Sequence, residues 1–182
     1  MNGIIGMTEL VLETDLDREQ QEFLGMAQSS ALSLLGLINN ILDFSKIEAG
    51  RLELECIDFD LQNVIDDAVD AVALPASAKG LELLVDVDPA VPRLVRGDPM
   101  RLHQILVNLL SNAVKFTGRG EVVLAVEGRD LQHGAVTLDF LVRDTGIGIP
   151  SEQIQGLFDP FIQADSSTTR RFGGTGLGLS IS

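Results

Sequence analysis

Three stretches of the chain have residue types and spacings suited to chemistry. Asn108 and Asn112 stand four positions apart in a run of helical periodicity, so both carboxamides fall on one face and can reach a single ligand. Asn112 is a neutral oxygen donor of the kind magnesium accepts when phosphates and water complete its shell, and Lys115 follows one turn later. Asp144-Thr145-Gly146-Ile147-Gly148 closes a strand-like run. A carboxylate there can accept from an exocyclic amine such as adenine N6, while Gly146 and Gly148 let a flat base lie against backbone. The same pattern also describes a tight corner with no ligand. Gly173-Gly174-Thr175-Gly176-Leu177-Gly178 opens a further helical run whose free amides can bind phosphate, although such a tract is also what a flexible linker looks like. Between the two glycine clusters, Leu157-Phe158-Asp159-Pro160-Phe161 supplies an apolar anchor to the polar stretch from Ala164 to Gly174, together a hinged lid. Phe158 and Phe161 suit core plugs better than stacking platforms.

The elements that must position these residues are bounded by composition. The chain has 182 residues, 45% hydrophobic and 22% charged, which excludes a disordered chain and fits one compact core with a short appendage. No apolar run reaches the ~18 residues a membrane span needs, and no secretion signal is evident at the amino end, so a cytoplasmic location is expected for this segment, whether or not the parent protein is membrane-anchored. A net charge of -14 opposes nucleic acid and anionic lipid, so neither is expected as a partner, and a bound polyphosphate needs local cations or magnesium. Lys115, Arg143, Arg170 and Arg171 stand out against that acidic background, though solvated surface charge is the plain alternative for each. Cys56 is alone and reads as a small packing residue beside a strand. His103 and His133 read as isolated packing or surface histidines, and no Cys or His cluster points to zinc.

In chain order, residues 1–14 predict a short helix ending at the polar Thr14-Asp15-Leu16-Asp17 turn. From Arg18, the stripe Leu24, Ala27, Ala31, Leu34, Ile38 and Ile41 predicts a bundle helix closing near Gly50. Asn39 and Asn40 interrupt the stripe as solvent-facing or register-setting residues. The hairpin would leave a wide apolar face uncovered, which pairing with a second copy into four helices would bury. A second domain starts at residue 51: an edge strand through Leu52, Leu54 and Cys56, a helix from Leu61 to Ala78 capped by Asp60 and kinked or ended by Pro75, and a strand from Leu81 to Val87. A loop through Pro89, Pro92 and Gly97 follows, then a helix from Met100 to Lys115 capped by Asp98-Pro99, and strands Glu121–Glu127 and Ala135–Arg143. The class is α+β: a helical hairpin at 1–50, then at 51–182 an α/β sandwich with helices on one face of a mixed sheet.

Taken in order, Leu106 to Thr117 resembles the N box of bacterial sensor histidine kinases, Asp144 to Gly148 the first G box, Leu157 to Phe161 the F box and Gly174 to Gly178 the second G box. Met1 to Met7 and Ile41 to Gly50 are similar to the dimerisation and phosphotransfer helices, particularly of hybrid kinases. The resemblance spans essentially the whole chain. It implies binding of ATP and Mg2+, with Asn112 on the metal, Asn108 and Lys115 near the phosphates and Asp144 on adenine. It also implies that a lid containing Arg171 and Thr175, with Gly174, Gly176, Leu177 and Gly178, closes over the triphosphate. The partners it implies are a second copy, through residues 1–50, and a response-regulator receiver domain. The fold is shared with gyrase, heat-shock chaperones and mismatch-repair ATPases. In those hydrolases a water-activating glutamate stands four residues before the metal-binding asparagine, and Asn108 in that place cannot act as a general base.

Two departures accompany the match. The family's acceptor histidine lies in a motif of the form HExRTPxN, and its place falls before Met1; His103 and His133 belong to the nucleotide-binding part. The chain also stops at Ser182 inside the helix begun by the second G box. The resemblance therefore implies a kinase core that binds nucleotide without phosphorylating itself on the usual residue. The alternatives are a non-catalytic dimerisation module with a vestigial nucleotide site and, with Asn108 against it, an ATP hydrolase.

Overall fold

The computed structural model describes residues 2–132, 135–154 and 156. His133, the Leu157–Phe161 segment, the lid with Arg171, and Gly174, Thr175, Gly176, Leu177 and Gly178 lie outside the described residues. The chain divides into two compact units, one running through Leu52 and the other starting at Glu53.

The first unit is a helical hairpin of α1, Asn2–Leu12, and α2, Arg18–Glu48. Asp17 starts α2 with a capping box: its carboxylate accepts from the Gln20 amide at 2.8 Å, and the Gln20 side chain accepts from the Asp17 amide at 3.1 Å. Ala31 is buried, and Leu24, Gln28 and Leu35, which together with it follow one another at steps of four, three and four residues, are half-buried. Gln28 also donates to Glu9 of α1 at 3.3 Å. Leu34, Ile38 and Ile41 of the expected stripe stay 39–48% exposed, because the eleven residues of α1 cannot cover a helix of thirty-one.

The second unit places helices α3, Leu61–Lys79, and α4, Pro99–Phe116, over a three-stranded sheet of β2, Glu82–Val87, β4, Glu121–Gln132, and β5, Ala135–Asp144. Strand β2 runs parallel to β4, and β4 antiparallel to β5. Along β4, Val122, Leu124 and Val126 alternate inward and are fully buried against Ile65, Ala68 and Val72 of α3 and Leu106 and Leu110 of α4 in one core cluster. A separate antiparallel pair joins β1, Ile57–Asp60, to β3, Leu94–Gly97. A four-residue helix α5, Ser151–Ile154, follows β5.

Three local expectations are corrected. The strand expected through Leu52, Leu54 and Cys56 lies instead at β1, with Leu54 and Cys56 exposed, because it is Phe59 that packs on the core. The loop expected through Gly97 contains β3, whose Val95 joins the same core edge. Pro75 does not end α3. It and Ala71 are both exposed, so the carbonyl left without an amide partner is within reach of water, and the helix runs on to Lys79, where left-handed Gly80 (φ 66°) closes it.

Candidate functional site

Helix α4 starts where Asp98 accepts from the Arg101 amide at 3.0 Å, and Pro99 fills the first turn, where no amide is needed. That bond, more than any other interaction, holds the Asp98 carboxyl below the usual carboxylate range. Leu106, Leu110, Ala113 and Val114 bury one face. Burial of each large side chain contributes about 1.5–3 kcal/mol, which fixes the helix's rotation. Fixed rotation puts Asn108, Asn112 and Lys115 in one half-buried line along the helix, at positions i, i+4 and i+7. Asn112 Nδ2 donates to Asn108 Oδ1 at 3.5 Å, so the two carboxamides meet as the spacing requires. Lys115 Nζ sits 4.8 Å from the centre of the Phe116 ring, and its burial pulls the ammonium pKa down.

The end of α4 meets the end of β5. Asp144 Oδ1 accepts from the Gly146 amide at 2.8 Å and from the hydroxyl of fully buried Thr117 at 3.4 Å. Among the described residues both bonds fall on that one oxygen, which leaves the second oxygen's lone pairs for another donor. A Cβ at Gly146 would lie 2.6 Å from the Phe116 carbonyl oxygen, so only glycine lets this turn approach the helix so closely. Gly148, at φ 69°, has open space where a side chain would be. Thr145 anchors the turn to the start of β4: its amide donates to the Glu121 carbonyl at 3.2 Å and its hydroxyl accepts from the Glu121 amide at 3.0 Å.

The structure thus brings Asn108, Asn112 and Lys115 onto one helix whose end touches the Asp144–Gly146 turn. Arg143 is exposed on β5, and His103, on α4, is half-buried. The sequence signalled neither Thr117 nor Thr145, both of which look like ordinary loop residues. Lys79 was also missed: its ammonium donates to the carbonyls of Val114, Lys115 and Thr117 at 2.6, 2.8 and 3.2 Å. A lysine in the last turn of its own helix gives no sign that it serves another.

With this geometry in hand, the comparisons with known proteins are consistent. Residues 97–182 match the model for the histidine kinase-, DNA gyrase B- and HSP90-like ATPase family, and residues 1–50 match the His Kinase A (phospho-acceptor) domain. Across its whole length the chain is 48% identical to the signal transduction histidine-protein kinase BarA of Escherichia coli (strain K12), spanning 20% of that protein. It is 42% identical to hybrid signal transduction histidine kinase A of Dictyostelium discoideum, spanning 9% of it. Among solved structures, full-length ShkA in complex with AMPPNP superposes with a TM-score of 0.73 at 33% identity, over 99% of this chain and 36% of that one. The catalytic domain of histidine kinase ThkA superposes with a TM-score of 0.53 at 27% identity, over 70% of this chain and 76% of that one. Matches to both characteristic domains, in the order in which the hairpin and the sandwich occur, mean that the chain belongs to the sensor histidine kinase family.

Proposed function

We propose that this chain is the ATP-binding core of a two-component kinase that moves the γ-phosphoryl group of ATP to a histidine and then to an aspartate of a receiver domain. The observation that carries the proposal is helix α4, which bears paired carboxamides and a desolvated lysine along one line and at its end meets the Asp144 turn, where a carboxylate with spare acceptor capacity stands beside a glycine that admits no side chain. The residues fit the ligand. Asp144 would accept from the adenine amine, and Gly146 and Gly148 would leave room for the base. Asn112 would hold Mg2+ through its carboxamide oxygen, with Asn108 and Lys115 toward the phosphates. Bound Mg2+ would neutralise charge on the phosphates. Arg171, Gly174, Thr175, Gly176, Leu177 and Gly178 complete the proposal as a phosphate-binding lid.

Residues 1–50 form, in this reading, the dimerisation and phosphotransfer hairpin, and residues 51–182 the catalytic domain, both on the cytoplasmic side. His103 and His133 are the only histidines in the chain, and both fall in the catalytic part. The purified 182-residue chain is therefore expected to bind nucleotide without forming phosphohistidine. Isothermal titration with AMPPNP and Mg2+ tests the core proposal. Asn112→Ala should weaken the magnesium complex by roughly tenfold or more, the scale of losing a contact to a charged ligand. A folded wild-type chain that gives no heat of binding overturns the proposal.

A second reading, a dimerisation module without catalysis, is favoured by the apolar residues that α2 leaves exposed. It predicts self-association with no nucleotide affinity. Hydrolysis is disfavoured because Asn108 cannot activate water.

A further inference from the structure

We infer that Lys79 is a positioning residue for the adenine end of the site, acting through the last turn of α4; this rests on the nucleotide-site reading above. The final carbonyls of a helix have no partner within it. In α4 the Ala113 carbonyl is taken by the Thr117 amide at 3.0 Å. Those of Val114 and Lys115 accept instead from Lys79 Nζ, at 2.6 and 2.8 Å, and the Thr117 carbonyl completes the set at 3.2 Å. An ammonium has three donors, and here three carbonyls converge on it, an arrangement a planar guanidinium does not reproduce.

The turn held in this way makes both contacts between α4 and the Asp144 loop described above. The Phe116 carbonyl is the surface against which Gly146 rests, and the Thr117 hydroxyl bonds Asp144 Oδ1. Lys79 touches none of these groups, so it acts on them only through the backbone of residues 114–117. Asn108 and Asn112 lie further up the helix, outside the turn that Lys79 holds. Removing the ammonium should therefore loosen the adenine end and spare the metal end.

The test uses the 182-residue chain with Lys79→Met and, in case that variant does not fold, Lys79→Arg. Two quantities are read by NMR: hydrogen exchange of the Gly146 amide without ligand, and affinity for adenosine and for AMPPNP with Mg2+. The expected result is faster Gly146 exchange together with a loss of adenosine affinity of about three- to tenfold, the scale of one or two hydrogen bonds, and a loss for AMPPNP at least as large, because Lys115 lies in the same turn. Asn112→Ala is the contrast, lowering AMPPNP affinity while leaving adenosine unchanged. A folded Lys79 variant with unaltered Gly146 exchange and adenosine affinity overturns the inference, as does a loss confined to AMPPNP, which would mean that the lysine acts by charge on the phosphates. If the wild-type chain binds neither ligand, the nucleotide reading fails, and the positioning role is decided by Gly146 exchange alone.

Discussion

Gly146 has no room for even a methyl group, because the carbonyl oxygen it would strike belongs to a helix terminus that cannot retreat without breaking the core behind it. Gly146→Ala is accordingly expected to displace the Asp144 turn and weaken AMPPNP binding about tenfold, within the ~1–3 kcal/mol that overpacking usually costs. Titration calorimetry on the folded variant checks this. Lys115 offers a second measurement. Burial depresses its pKa in the ligand-free protein, and a polyphosphate beside it should reverse the shift. NMR titration of the Lys115 side chain with and without AMPPNP should show the pKa rising on binding. At this scale the sequence was informative wherever two signals agreed: the four-residue spacing of Asn108 and Asn112 gave the face they share. It was uninformative about Lys79 and Thr117, whose roles come from the meeting of elements distant in sequence.

Caps explain most of what was legible at the scale of elements. Asp60 and Asp98 each stand at the start of a helix as read, and Asp17, the last residue of the expected polar turn, does the same, because a carboxylate accepting a first-turn amide is a local event. Gly80 closes α3 in the left-handed region, so Gly80→Ala should lower stability by about 1 kcal/mol in urea unfolding. Asp60 also binds Arg93 at 2.7 Å, and that bond, ahead of its amide contacts, lowers its carboxyl pKa below the ordinary 3.8. The unfolded carboxyl holds its proton more tightly than the folded one. The stabilisation is therefore complete above the ordinary value and disappears as the pH falls through the folded value. Asp60→Asn should flatten that part of the acid limb in urea midpoints measured against pH. Strand β1 was misplaced and β3 read as loop because each is only four residues long and is defined by its partner: without knowing that Leu94–Gly97 lies alongside, Leu52 to Cys56 alternates more convincingly than Ile57 to Asp60.

For the whole molecule, two units and a helices-on-sheet second unit followed from the change of hydrophobic period after Gly50. The parallel pairing of β2 with β4 did not, since apolar periodicity carries no strand order. The exposed Leu34, Ile38 and Ile41 make a prediction at this scale: sedimentation should show a dimer, and Ile38→Glu should shift it to monomer while AMPPNP affinity is retained. The β2–β4 pairing also bears on how the molecule folds. The two strands are separated by β3 and the whole of α4, so the register that joins Glu82 to Glu121 closes a long loop, a slow step that follows local helix formation. The Asp144 turn hangs both from Glu121, at the start of β4, and from the end of α4 through Gly146 and Thr117, and so takes its final form only once α4 is docked on the completed sheet. A nucleotide that requires the turn has nothing to hold in the folding transition state. AMPPNP should therefore leave the refolding rate unchanged and slow unfolding, moving only one arm of the chevron.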